Sequence, residues 1–394
     1  MKILQISSIF PIPLFPDENP YVKNYIYHYK SRFKEHEFLV AKPITYYPDV
    51  FIRFKYNQEK WKKRKELSNR ESELLDDINI TYLPYMSIGS ISLLHIIGSF
   101  LGYIRNRSRL NGLISDVDVT HAHYLFPDGL IAYFLKRKFN TPYTLTLRQE
   151  TRFLKNKISQ SICRRIIEDA SICSTQSYHM HQALLNLHIQ SVNLLPTGIE
   201  NYFFETKNRG VKVSKTRLNI VSVCNLLPIK NIESVIKAIK VFDLKSKVKY
   251  HIYGTGPEKE NLEKLSAKLG LDSCIKFMGH IDNTELPAVY SKYDLFVQPS
   301  FKETFGLTYF EALASGLPVV LSQNTGAYPL IEKYDVSFVV DPYSVDSIGR
   351  CLQNIITNPE QLSNKKNRTT EAAKIASWEN YVKYFHRAYK EAIV

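Results

Sequence analysis

The chain reads as an α/β protein of two doubly wound, Rossmann-like layers, and three observations predict it. Short β-rich runs alternate with helical stretches, strand first, and the alternation starts afresh in the second half. A polar stretch, Glu200–Thr216, separates the two successions. At 394 residues the chain also exceeds the size at which one hydrophobic core usually keeps growing.

In the first half, strands are predicted at Lys2–Ser7, Glu37–Lys42, Ile78–Pro84, Val117–His123, Pro142–Arg148, Ala170–Thr175 and Val192–Pro196. Helices are predicted at Tyr21–Lys34, Asp128–Lys138 and Ser177–Leu187. The opening run Met1–Ser7 is too short for a signal peptide and reads as the first strand. Thr45–Asp77 shows no strand periodicity and carries the basic run Lys60-Trp61-Lys62-Lys63-Arg64-Lys65. Met86–Tyr103 has no charged side chain apart from His95, yet its serines and glycines make it weakly apolar. A buried or interfacial helix is expected there rather than a membrane span.

The second half predicts strands at Leu218–Val223, Lys249–Gly254, Cys274–Gly279, Asp294–Gln298, Pro318–Ser322 and Ser337–Val340. Ile232, Val235, Ile236 and Ile239 recur at i, i+3, i+4, i+7, which puts one apolar helix face on a sheet. Val345, Ile348, Leu352 and Ile355 do likewise after Pro342. Near the end, Trp378, Tyr381, Tyr384, Phe385 and Tyr389 form an aromatic helix face that must pack on something.

Composition narrows the function. A hydrophobic content of 44% supports a packed core and argues against disorder. The net charge of +14 favours anionic partners, namely phosphate-bearing small molecules or an anionic membrane surface. Nucleic acid is not expected, because no helix-turn-helix, zinc spacing or aromatic RNP-like run occurs. The five cysteines are widely spaced and lack a C-x-x-C pair, so buried free thiols in a reducing, cytoplasmic setting are expected.

The most informative stretch runs from Asp294 to Ala312. A buried strand ends at Pro299-Ser300, a loop holds Glu303, and a helix begins near Gly306 and stops at Ser315-Gly316. The first turn of such a helix offers unpaired N–H groups and a positive dipole end to a phosphate. Glu303 is expected to reach a sugar hydroxyl. Glu311, read as two turns into the helix, is expected to reach a ribose hydroxyl.

The frame Pro-Ser-x-x-Glu-x-x-Gly-Leu-x-x-x-Glu-Ala, with Glu303 and Glu311, resembles the E-x7-E motif of retaining GT-B glycosyltransferases of family 4, the glycosyl transferases group 1. Val221–Asn231, Tyr253–Glu258, Asn324–Ala327 and Leu195–Glu200 resemble further segments of that family, in its order. The resemblance implies a GT-B architecture of two Rossmann-like domains facing a cleft. An acceptor domain would cover residues 1–200 and a nucleotide-sugar domain 201–376, with helix 377–394 packing back on the first. It also implies a retaining hexosyl transfer from a UDP- or GDP-sugar to a glycan or lipid-linked glycan, with no metal and no cofactor beyond the donor. Contact with an anionic membrane face is expected separately, from the basic run Lys60–Lys65 with Trp61 inside it and Met86–Tyr103 nearby.

By the same resemblance Lys230 neutralises the leaving diphosphate, and the N–H groups of Gly306 and Leu307 hold its oxygens. Glu303 orients the sugar, while Asn225, Gly254, Phe305 and Glu311 complete the donor site. The chain departs from the family at Asn225, where an arginine is usual, with Lys302 as the candidate replacement, and at Arg148, where a histidine is often found. Arginine stays protonated and cannot act as a base. His121 and His123 are read as ending a strand on alternate faces, with His123 the catalytic candidate. Two histidines without a third ligand predict no metal. A non-catalytic GT-B subunit and a sugar-nucleotide epimerase stay open as alternatives.

Overall fold

The computed structural model describes residues 1–15, 18–47, 58–86, 92–205 and 217–394. It divides into two compact units, Met1–Leu195 with Val382–Val394, and Pro196–Tyr381.

The first unit holds β1 (Lys2–Ile6), α1 (Tyr21–Arg32), β2 (Glu37–Tyr46), α2 (Gln58–Leu67), β3 (Ser72–Leu75) and β4 (Ile78–Met86). It continues with α3 (Ser92–Arg105), α4 (Arg107–Ile114), β5 (Val119–Ala122), α5 (Leu130–Phe139) and β6 (Tyr143–Leu147). The last elements are α6 (Lys157–Asp169), β7 (Ile172–Thr175), α7 (Tyr178–Leu185) and β8 (Val192–Leu194). The strand order is β3-β4-β2-β1-β5-β6-β7-β8, so the order reverses at β1. Residues 3–6 of β1 and all of β5 and β6 are buried, as strands covered by helices on both faces must be.

The edge strand β3 corrects the expectation of no strand in 45–77. It runs antiparallel to β4, with Leu75 opposite Ile78. Asp76 and Asp77 make the two-residue turn at φ 47° and 61°, the backbone a tight hairpin needs. An Asp-Asp pair is a weaker hairpin signal than Asn-Gly, and the strand is only four residues long.

The second unit holds β9 (Leu218–Val223), α8 (Ile232–Val241), β10 (Val248–Tyr253), α9 (Lys259–Lys268), β11 (Ile275–Gly279) and α10 (Leu286–Tyr290). Next come β12 (Leu295–Val297), α11 (Leu307–Ala314), β13 (Val319–Ser322), α12 (Tyr328–Ile331), β14 (Ser337–Val340), α13 (Val345–Thr357) and α14 (Glu360–Ala373). Its six strands are parallel in the order β11-β10-β9-β12-β13-β14, reversing between β9 and β12. Val235, Ile236 and Ile239 of α8 and Ile348, Leu352 and Ile355 of α13 are fully buried, as their spacing predicts. Each such side chain contributes roughly 1.5–3 kcal/mol by leaving water.

The unit boundary falls at 195/196, earlier than residue 200, for a packing reason. Ile199 pairs with Ser377, its N–H donates to Ala376 O at 2.7 Å, and Phe203 is buried in the second core. The stretch expected to be least structured, 207–210, lies outside the described residues. The final helix α15 (Trp378–Ile393) starts in the second unit and belongs to the first from Val382 onward. Its Phe385 and Tyr389 are fully buried there. Among the described residues no helix is long and apolar enough to cross a membrane.

The basic run lies on α2, and its charges are partly spent within the chain. Arg64 pairs with Glu18 at 2.7 Å, Lys63 with Glu59 at 3.3 Å, and Trp61 packs edge-on against Tyr47. Glu18 also holds the buried Lys42 ammonium at 2.7 Å.

Candidate functional site: an anion cradle in the second unit

In an open parallel sheet, ligands collect at the carboxyl ends of the strands where the order reverses. In the second unit those strands are β9 and β12. The turn after β9 carries Asn225 to Asn231, and the loop after β12 carries Pro299 to Gly306.

Local chemistry laces the two together. Lys230 closes a 3-10 turn, Pro228–Lys230, and Asn231 follows at φ 58°, a left-handed backbone that asparagine tolerates. Its buried amide donates to Pro299 O at 3.0 Å and Pro342 O at 2.7 Å. Phe301 N–H donates to Ile229 O at 2.9 Å. From the other side, Glu303 pairs with Thr325 as an isolated parallel bridge, and Gly326 N–H donates to Glu303 O at 3.3 Å. A side chain on Gly326 would meet Thr304 O at 2.2 Å, so only glycine lets the loops come this close.

So held, the Lys230 ammonium donates to the Glu303 carboxylate across 73 residues of sequence. The two side chains are 18% and 15% exposed, partly shielded yet reachable. Gly306 caps α11 at φ 83°. A Cβ there would stand 2.4 Å from the Tyr309 ring and 3.1 Å from Glu303 Cγ, so the Glu303 stem lies against the start of the helix. Among the described residues no backbone acceptor takes the N–H of Gly306, Leu307 or Thr308. Tyr309 OH, donating to Gln298 O at 2.6 Å, fixes the helix on the end of β12. One cation, one carboxylate and the positive end of a helix therefore converge on one spot.

The other expected donor residues fall around this cradle in different ways. Glu311 stands just over one turn into α11, not two, because the helix starts at Leu307. It is half-buried with no ion pair or hydrogen bond among the described residues, and burial pushes its carboxyl up to about 7. Phe305 turns its ring inward, stacked on Phe310 at 4.9 Å, so only its backbone is left for a ligand. Gly254, at φ 128°, exposes no cradle: a Cβ there would meet Cys224 O at 1.8 Å, so its missing side chain serves the packing of two turns. Asn225, Leu307 and Lys302 are exposed.

The first unit holds the remaining candidate, with one correction. His121 and His123 share a face of the sheet, as residues two apart must, and their rings stack at 4.1 Å. Both are fully buried. His121 bonds Tyr389 OH at 2.7 Å and Thr146 Oγ1 at 2.8 Å, and His123 Nε2 bonds Gln5 Oε1 at 2.7 Å. Tyr389 OH also meets Tyr25 OH at 2.7 Å. Burial, then the neighbouring Arg148, depresses His121 to about 3; burial, then His121, holds His123 well below its usual value. These imidazoles tie α15 to the sheet in neutral form. Arg148 lies over the rings of Tyr21 and Tyr124, at 4.6 and 5.6 Å.

Two carboxylates the sequence did not single out cap the strand-end turns here. Asp128 accepts from Ser8 N–H at 3.1 Å, and Glu150 from Leu125 N–H at 2.6 Å and Arg148 N–H at 3.4 Å. Burial raises Asp128 well above the carboxylate range and Glu150 to about 7. Their only signal was position, just past a strand end. Among the described residues no group of three or more His, Cys, Asp or Glu could hold a metal ion.

Comparison with known proteins agrees with this geometry. Residues 204–375 match the family model of the glycosyl transferases group 1. The alpha-monoglucosyldiacylglycerol synthase of Streptococcus pneumoniae is 26% identical over 301 residues, covering 71% of this chain and 67% of that protein. The D-inositol 3-phosphate glycosyltransferase of Corynebacterium glutamicum is 24% identical over 352 residues, 82% of this chain and 84% of its own. A solved structure described as trehalose-6-phosphate from E. coli bound with UDP-2-fluoro glucose superposes with a TM-score of 0.68 at 14% identity, covering 99% of each chain. Residues 204–375 thus match the glycosyl transferases group 1, and the chain is a glycosyltransferase built on the GT-B fold.

Proposed function

We propose that the enzyme moves a hexosyl unit from a UDP- or GDP-sugar to a glycan or lipid-linked glycan beside an anionic membrane face, with retention at the anomeric carbon. The observation that carries the reading is the Lys230–Glu303 pair at the start of α11, whose N-cap Gly306 brings no side chain to its first N–H groups. A diphosphate entering there accepts the N–H groups of Gly306 and Leu307 and draws the Lys230 ammonium away from Glu303. The released carboxylate then takes a hydroxyl of the sugar.

As the bond from the anomeric carbon to the diphosphate breaks, its electron pair goes to the phosphate oxygen, the acceptor oxygen bonds to the anomeric carbon, and its proton passes to that phosphate oxygen. The growing negative charge meets a cation and a helix dipole already in place. These fixed charges do the work a metal ion would otherwise do. Glu311 takes the ribose hydroxyls. The similarity to a structure bound with UDP-2-fluoro glucose, and to a protein named for a glucosylated diacylglycerol, supports the donor class and a lipid-bearing acceptor.

A thermal-shift screen of UDP- and GDP-sugars, followed by nucleotide release with a lipid-linked acceptor, tests this. A cognate donor at about 100 times its dissociation constant stabilises by about 2.7 kcal/mol. The shift and the release should both diminish in Glu303→Ala and Lys230→Ala. A donor that binds and turns over equally well in both variants would overturn the assignment.

A further inference from the structure

We propose that the outer face of α3, together with the groove between α3, α5 and α6, docks on an anionic bilayer and takes a phospholipid acyl chain. This deepens the membrane-face part of the reading above and stands apart from the donor assignment.

The geometry of α3 is the starting point. Its inward face is fixed: Ile96, Ser99 and Tyr103 are buried, and a Cβ on Gly102 would stand 2.4 Å from Tyr85 Cβ. The Asn106 amide, just beyond its end, donates to Pro84 O at 2.9 Å. The helix therefore cannot roll. Its outward face carries Leu93, Ile97, Phe100, Leu101 and Ile104, each 36–49% exposed, where an ordinary surface helix carries polar side chains.

The stripe opens into a cavity. Ile97 and Phe100 of α3, Phe134 of α5 and Ile162 of α6 line a groove of about 450 Å³, within the range of small-ligand sites. Among the described residues its one charged lining residue is Arg165, on α6.

Charge selects the occupant. Between Asp77 and Asp116 the chain has no acidic residue, but it has Arg105, Arg107 and Arg109. On the α6 side, Arg152, Lys155, Lys157 and Arg165 are exposed and make no ion pair among the described residues. The acids of α6 are already engaged, Glu168 by Arg164 at 2.9 Å and Asp169 by Arg137 at 3.3 Å. An apolar helix face without acidic neighbours in sequence, beside a groove with Arg165 at its wall and further cations without ion pairs on the α6 side, suits a layer whose interior is hydrocarbon and whose surface is anionic. A second copy of this strongly basic face would be repelled.

Flotation of the full-length protein with vesicles tests the proposal. It should bind phosphatidylcholine vesicles that contain phosphatidylglycerol, bind pure phosphatidylcholine weakly, and release as salt rises. Ile97→Glu and Phe100→Glu should each weaken binding about tenfold or more, since a buried apolar side chain contributes about 1.5–3 kcal/mol. The conservative Phe100→Trp should bind normally and be quenched by phosphatidylglycerol brominated on its acyl chains, beyond any quenching of the wild type. The urea midpoint of the first unit, measured on the same variants, reports that the fold around α3 is intact, and the nucleotide-sugar thermal shift reports the donor site separately.

No binding by the wild type, equal binding by the glutamate variants, or an unquenched Phe100→Trp on bound vesicles would each overturn the proposal. So would a solution dimer that Ile97→Glu dissociates, which would assign the face to a second copy.

Discussion

The two sheets of this enzyme have the same architecture and finish their strands in opposite ways. At the strand ends of the first unit, the chain caps its own turns: Asp128 takes Ser8 N–H, and Glu150 takes Leu125 and Arg148 N–H. At the switch point of the second unit the nearest carboxylate, Glu303, is held by Lys230, and the first N–H groups of α11 have no backbone acceptor among the described residues. A turn that supplies its own anion is closed. A turn that diverts its carboxylate to a lysine is set for an anion from outside.

The contrast predicts that damage to the first unit reads out as stability and damage to the second as catalysis. Phe385 is fully buried and stacks on His121 at 4.5 Å. Phe385→Ala should cost about 3–5 kcal/mol in urea unfolding of the first unit. The thermal shift given by a nucleotide-sugar, which reports on the second, should survive under native conditions. Loss of donor binding without loss of stability would break the comparison.

Lys230→Ala should do the reverse. It should lower kcat/KM by about 10²–10³, the cost of one preorganised charge partner at a leaving group. Its partly exposed ion pair should give up no more than about 1 kcal/mol of stability. A variant that unfolds readily but still turns over would reassign Lys230 to the scaffold.

A smaller effect is expected at Gly306. Alanine there accepts a left-handed backbone at about 1–2 kcal/mol and pushes a methyl toward the Tyr309 ring. The start of α11 must shift, so donor affinity should fall about tenfold. Isothermal titration with the cognate nucleotide measures it. The same nucleotide should bind with near-normal affinity to His123→Ala, whose cost belongs to the first unit.

How much of this could be read from the residues follows from the range of each interaction. The apolar face of α8 and the frame around Glu303 are local patterns, legible within one helix or one loop. The pairing of Lys230 with Glu303 is not, because Asn231, Phe301 and Thr325 bring the turns together from distant parts of the sequence. The inward turn of Phe305 depends on the left-handed Gly306 beside it. A charge-poor stretch before Tyr103 was plain to see. Which face it exposes was not, since that depends on one contact between Gly102 and Tyr85. His121 and His123 could have been placed on one face from the two-residue period alone.

Titration near neutrality offers the finest test, because each unit holds one carboxyl that burial raises to about 7. Glu150 is fully enclosed and already hydrogen-bonded. Its folded value exceeds the unfolded one of 4.5, so the unfolded chain releases the proton first. Its contribution to stability is therefore complete below about pH 4.5 and declines as pH rises through about 7. The urea midpoint of the first unit should fall across that window, and Glu150→Gln should lessen the fall and leave the share of Asp128 in place. Glu311 has the same value, so the second unit should lose stability over the same window, but with no hydrogen-bond partner among the described residues its effect should surface in binding as well. A ribose hydroxyl donates more strongly to the carboxylate than to the acid, so nucleotide affinity should rise with pH, by at most about tenfold per unit. Glu311→Gln should abolish that rise and leave the Glu150-dependent decline in stability untouched. A pH profile of affinity that is flat in the wild type would mean that Glu311 does not meet the nucleotide.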